Sequence, residues 1–258
     1  NHYPKTAQSN YHALLVKLEK RFSGGFSLLS SYSFSKAITN APQLRNAGGA
    51  SGAENTPPQN PYDLRAERGL APYHASSRWV NSFVLDSPFG RGRRFVKSGF
   101  PATVLGGWRA SGILAMQTGF PFSVNVQGDT AGQGSGAGGV IIRPNLVPGA
   151  RVALPSSERT PERFFNTAAF ALPPPYTFGN VGRNTVIGPG LVNLDFSLAR
   201  QVRLSERLTL EGRGEAFNLF NRPNYNIVGR IISDTATFGR VRSQLDPRQI
   251  QFGLKLRF

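Results

Sequence analysis

Glu211 and Glu215 flank Arg213 at alternate positions, so on a strand all three project from one face, a spacing that could serve a general acid and base. In a polar interior the same residues form an ion-pair ladder in which cross-strand charges satisfy each other, and that is the preferred reading. The segment 132–139, GQGSGAGG, offers backbone amides like a phosphate cradle. It lacks the Lys-Ser/Thr of a P-loop and no helical pattern follows, so it reads as linker. His2, His12 and His74 have no second metal ligand at a characteristic spacing, and no nucleophile–base pair can be assembled. No enzymatic activity, cofactor or metal is expected.

The charges stand on segments of period two. In the last stretch Ile250, Phe252, Leu254, Leu256 and Phe258 alternate with Gln249, Gln251, Gly253, Lys255 and Arg257. At about 11 residues it has the length of a tilted strand crossing a bilayer. Residues 10–22 alternate too, with Lys17, Glu19 and Arg21 on one parity, and Ser23, Gly24 and Gly25 supply a short reversal into a strand over 26–35. That second strand places Phe26, Tyr32 and Phe34 toward both ends of one face, as interfacial girdles require.

Further strands are predicted over 78–85, where both parities contain apolar residues and leave the face open, and over 105–118. Two more cover 192–200, with Val192, Leu194, Phe196 and Leu198 against Asn193, Asp195, Ser197 and Arg200, and 208–216. Between them lie aperiodic stretches at 37–76 and 119–189, and a third beyond Asn218, of roughly 40, 70 and 25 residues. One short helix is predicted at 161–166 behind Thr160 as its N-cap.

Composition narrows the class. Hydrophobic residues make up 39% of the chain and no apolar run approaches the length of a transmembrane helix, so a membrane protein of this composition crosses with strands. A net charge of +16 raises nucleic acid as a partner. The basic residues are instead spread along the chain, with Arg91, Arg93 and Arg94 as the one tight cluster, and no nucleic-acid motif accompanies them. The absence of cysteine fits passage through an oxidising compartment. Asn1 is neither a start methionine nor part of a signal sequence, so the chain is expected to be a fragment.

About seven strands joined short, long, medium, long, short, long form the pattern of an outer-membrane barrel, with short turns on one side and long loops on the other. A soluble sandwich has no reason to sort its loop lengths this way. Residues 11–22 (YHALLVKLEKRF), 32–36 (YSFSK), 178–184 (FGNVGRN), 215–221 (EAFNLFN) and the terminal strand together resemble the C-terminal barrel of TonB-dependent receptors. The nearest group is the Oar-like one, which carries a carboxypeptidase-regulatory-like domain.

The resemblance implies an all-β, antiparallel up-and-down transmembrane barrel portion with long extracellular loops, residues 1–258 supplying about seven of about 22 strands. The plug and N-terminal strands would lie upstream. It implies residence in the outer membrane, lipid contact, engagement of TonB through the plug, and uptake of an extracellular siderophore, oligosaccharide or peptide. Phe252, Leu254, Leu256 and Phe258 would be the signal read by the barrel-assembly machinery. Lys17, Glu19, Arg21, Glu211, Arg213, Glu215, Lys255 and Arg257 would face the lumen. In the loops Tyr62, Arg65, Arg68, Tyr73, Arg143 and Tyr176 are candidates for ligand contact, by stacking and charge. The rival readings are a small barrel without transport and a secreted basic β-protein that binds polyanions.

Overall fold

A computed structural model describes residues 7–41, 58–90, 92–133, 142–205 and 207–258. Seven long strands form one antiparallel meander, each hydrogen-bonded to its sequence neighbours. They are β1 (Ser9–Ser23), β2 (Phe26–Thr39), β3 (Ser77–Asp86), β4 (Trp108–Gln117), β5 (Leu191–Arg203), β6 (Thr209–Phe217) and β7 (Gln249–Arg257). The sheet is open, and β1 and β7 are its two edges.

Register assigns every strand its faces. Leu210, Gly212, Gly214 and Ala216 lie opposite Leu256, Leu254, Phe252 and Ile250 on one face, and that face continues through Phe196 and Leu198 to Leu114 and Met116. The pairing with β4 settles β3, placing Trp79, Phe83 and Leu85 on this apolar face and Arg78, Val80, Ser82, Val84 and Asp86 on the other. Arg200 is a correction to the expected pattern. It pairs with Trp108 and Gly212 and so lies on the apolar face rather than beside Asp195 and Ser197.

The two ends of the sheet differ. At one, Gly24 and Gly25 reverse the chain with φ of 62° and 85°, which is why paired glycines occupy that tight turn. Leu204 N–H donates to the Leu208 carbonyl at 2.8 Å to close the β5–β6 turn at the same end. The β3–β4 connection there carries a helix, α1 (Gly99–Leu105), which the alternation-based reading of 105–118 as one strand did not anticipate. Ser98 and Gly99 start the helix, and Pro101 is tolerated because its missing N–H falls in the first turn.

At the other end the long connections pack into one body. Its core consists of Phe122, Val124, Phe164, Phe165, Ala169, Phe170, Val181, Val186 and Val228, all outside the seven strands. The helix expected at 161–166 is absent. Thr160 Oγ1 does accept from Arg163 N–H at 3.1 Å, as a cap would, but Phe164 N–H turns away to the Gly239 carbonyl at 2.8 Å and both phenylalanines enter the core. Short pairings tie the loops together: Pro121–Phe122 with Val186–Ile187, and Asn145–Leu146 with Phe170–Ala171. The glycine-rich stretch lies outside the described residues from position 134 onward, as do His2 and Arg91.

No second sheet covers the apolar face among the described residues. Phe252 is 86% and Leu254 77% exposed, and Leu14 and Leu18 on β1 are 60% exposed each. A sandwich would bury these side chains between layers. Here the buried hydrophobic cluster sits at the loop end, and the sheet leaves its apolar side chains exposed.

Candidate functional site: the polar face and the loop body

The face opposite the apolar one gathers the charges. Lys17 and Glu19 of β1 project from it, and Arg21 reaches Glu19 at 3.8 Å beside the irregular end of that strand. Glu211, Arg213 and Glu215 of β6 share the face with Lys255 and Arg257 of β7. Arg21 apart, the residues marked as charged interior positions share this face of the sheet.

Around Glu211 the arrangement is tight. Its Oε1 accepts from Arg213 Nη2 at 2.8 Å, and its Oε2 from Arg257 Nη2 at 3.0 Å and Gln201 Nε2 at 3.0 Å. The carboxylate is 5% exposed and its lone pairs are engaged by cationic and amide donors, which suits structural charge balance better than proton abstraction. Glu215 is held by Gln251 from β7 and, at 3.5 Å, by Arg213.

A second cluster was missed in the sequence. Asp86 at the end of β3 accepts from Arg109 Nε at 2.6 Å and Nη2 at 3.2 Å, and from Arg93 Nη2 at 3.2 Å. Asp86 and Arg109 are register partners, a relation visible only once the β3–β4 pairing is known. The two clusters border a concavity of about 480 Å³ lined by Arg93, Arg109, Arg203, Arg213 and Arg257 against only Asp86 and Glu211, a balance of five cations to two anions. Such a surface is suited to hold anionic groups.

The loop body divides its candidates. Arg143 is buried and spoken for: Nη1 bridges to Glu67 at 2.9 Å, Nε donates to the Val181 carbonyl at 2.9 Å, and Gln59 holds its backbone N–H at 2.9 Å. It joins loop 58–76 to the larger loop and offers nothing to a ligand, a correction to its reading as a contact residue. Tyr62, Tyr73 and Tyr176 are exposed, at 97%, 52% and 84%. Arg65 is exposed, and Arg68 is exposed with its guanidinium Nη2 donating to Asn10 Oδ1 at 3.3 Å. None of the three tyrosines and two arginines lines the concavity between the two charge clusters. Among the described residues no group of His, Asp or Glu could hold a metal ion.

His74 links this body to the sheet. Ala37 N–H donates to its Nδ1 at 3.3 Å, and the ring is buried. Burial, with Lys36 nearby as the second cause, pushes its pKa below the usual imidazole value.

Over residues 1–251 the sequence matches the outer membrane beta barrel domain. The chain belongs to that family. No curated protein matches it at a significant level. As an outer-membrane β-barrel protein it meets lipid with the face that carries Phe252, Leu254 and Leu256, which explains why these side chains have no protein cover. No helix among the described residues is long and apolar enough to cross a membrane.

Proposed function

We propose that the chain is the C-terminal part of the barrel of a TonB-dependent receptor, of the Oar-like kind, that takes up an extracellular ligand. The observation that carries the reading is the pairing of an open seven-stranded meander with three long connections folded into one body at a single end. Two unpaired edges are not tolerated in hydrocarbon, so further strands complete the wall. A wall that supports so large a loop body belongs with wide, plugged barrels rather than with narrow filled ones.

In this reading the polar face lines the lumen and its charge clusters meet the plug or the passing ligand. Exposed Tyr62, Tyr73, Tyr176, Arg65 and Arg68 offer aromatic and cationic contacts at the outer mouth. The saturated carboxylate of Glu211 supports a non-catalytic role. Phe252, Leu254, Leu256 and Phe258 form the apolar stripe presented to the barrel-assembly machinery.

The test uses the intact protein with whatever precedes Asn1 in its reading frame. Purified in detergent, it should bind the periplasmic domain of TonB in a surface plasmon resonance assay, and deleting the upstream plug should abolish the signal. An intact protein that carries no plug and binds no TonB overturns the transport reading and leaves a barrel without energy coupling.

A further inference from the structure

The apolar face is not uniformly filled. Across β5, β6 and β7 it carries a groove of about 660 Å³, walled by Leu198, Leu210, Phe252 and Leu254 and floored by Gly212 and Gly214. A β-carbon added at Gly212 would meet nothing within 4 Å, so that part of the floor is open space and not the close approach of another backbone.

On its β4 side the groove is bounded by Trp108 and Arg200, register partners on the same face, with Arg200 level with Gly212 and Val202 and Leu210 beyond it toward the short turns. The guanidinium lies 5.3 Å from the indole ring. Its Nη2 donates to the Thr103 carbonyl of α1, while its Nε is buried without an acceptor. No carboxylate pairs with Arg200 among the described residues. A cation on the hydrocarbon-facing side of a strand is costly unless an anion or headgroup meets it. The adjoining connection adds exposed Arg94 and Lys97, and residues 87–107 contain no acidic residue. It also exposes Phe100 at 81%, a side chain suited to the interfacial layer.

We propose that this is a binding site for one anionic phospholipid of the leaflet at the turn end, which is the periplasmic leaflet in outer-membrane barrels. One acyl chain lies in the groove over Gly212 and Gly214, the phosphate meets Arg200, and Trp108 sits at the glycerol level. Charge selects the occupant, since a cationic rim without carboxylates favours a lipid of net negative charge over a zwitterionic one. The inference rests on membership in the outer-membrane barrel family and is independent of TonB coupling.

The intact protein, purified in detergent, is given equimolar phosphatidylglycerol and phosphatidylcholine of identical chains, and retained lipid is counted by native mass spectrometry. Phosphatidylglycerol should be retained about fivefold over phosphatidylcholine, the worth of one basic side chain at an anionic surface. Arg200→Gln should lower the ratio severalfold toward unity, leaving only what the connection's cations contribute. Gly212→Leu, an addition into open space, should lower phosphatidylglycerol retention with the rim cations intact. Arg151→Gln, in the loop body, should keep the wild-type ratio. Equal retention of the two lipids by the wild type overturns the site, as does a Gly212→Leu protein that keeps full phosphatidylglycerol retention.

Discussion

Arg143 and Glu67 bury opposite charges against each other inside the loop body, and single side chains of this kind decide how firmly the loops hold to one another. Lys17, Glu211, Arg213 and Lys255 share one face of the sheet because a strand has only two sides and the register carries that face from β1 to β7. Arg143 looked like any loop arginine, since the partner that buries it, Glu67, is 76 residues away in the chain. That pair is 5% exposed on both sides, so removing one member strands a charge in the loop body. Arg143→Ala should destabilise the body by about 3–5 kcal/mol. Limited proteolysis should then cut within 119–190 while the strands stay protected, and unchanged protease resistance would show that the pair is dispensable. His74 makes a second residue-scale prediction. Its pKa is lowered in the folded chain, so the unfolded chain takes up the proton first as pH falls. The stability it contributes is complete above about pH 6.5, the unfolded value, and is lost as pH drops from there through the folded pKa. Docking of loop 58–76, followed by hydrogen exchange at Ala37, should weaken across that window. His74→Gln should flatten the dependence, and a mutant profile that still tracks the wild type would assign the titration elsewhere.

At the scale of elements, strands were legible to within a few residues because two-sided exposure imposes a regular pattern, as in β1 over Ser9–Ser23. Elements whose sides are set by neighbours were not. The apolar residues on both parities of β3 made its faces ambiguous until pairing with β4 fixed them. A cap residue at Thr160 suggested a helix, yet tertiary packing of Phe164 and Phe165 outweighed local propensity. The long loops likewise gave no sign that they share a core, because its members are scattered from Phe122 to Val228. Phe165 is its centre, with ring centroids of Phe122, Phe170 and Phe238 at 6.1, 5.8 and 5.4 Å in edge-on arrangements. Phe165→Ala should cost about 3–5 kcal/mol of loop-body stability. Near-ultraviolet circular dichroism should lose its aromatic signal from the loops while the far-ultraviolet strand signal persists. Simultaneous loss of both would mean that the loop body and the sheet fold as one unit.

At the scale of the whole molecule, strand parity limits how the wall can close. β1 runs from the loop end to the turn end, and after six reversals β7 runs the same way. Joining these two edges directly would make a parallel pair, whereas every long pairing in the sheet is antiparallel. Antiparallel closure needs an even number of strands, so closing this wall by antiparallel pairs alone would take at least one further strand between β7 and β1. Residues 1–258 refolded alone in detergent should therefore lack the compact, heat-modifiable species that a closed barrel gives on unheated electrophoresis. They should associate through their free edges, with the oligomer growing as concentration rises. Supplying strands that complete an even count should bring back the compact species and suppress association, because closure satisfies both edges. A monomeric, heat-modifiable form of residues 1–258 alone would show that β1 and β7 do close on each other. The barrel would then be too narrow for a plug, and the TonB-dependent reading would fall with it.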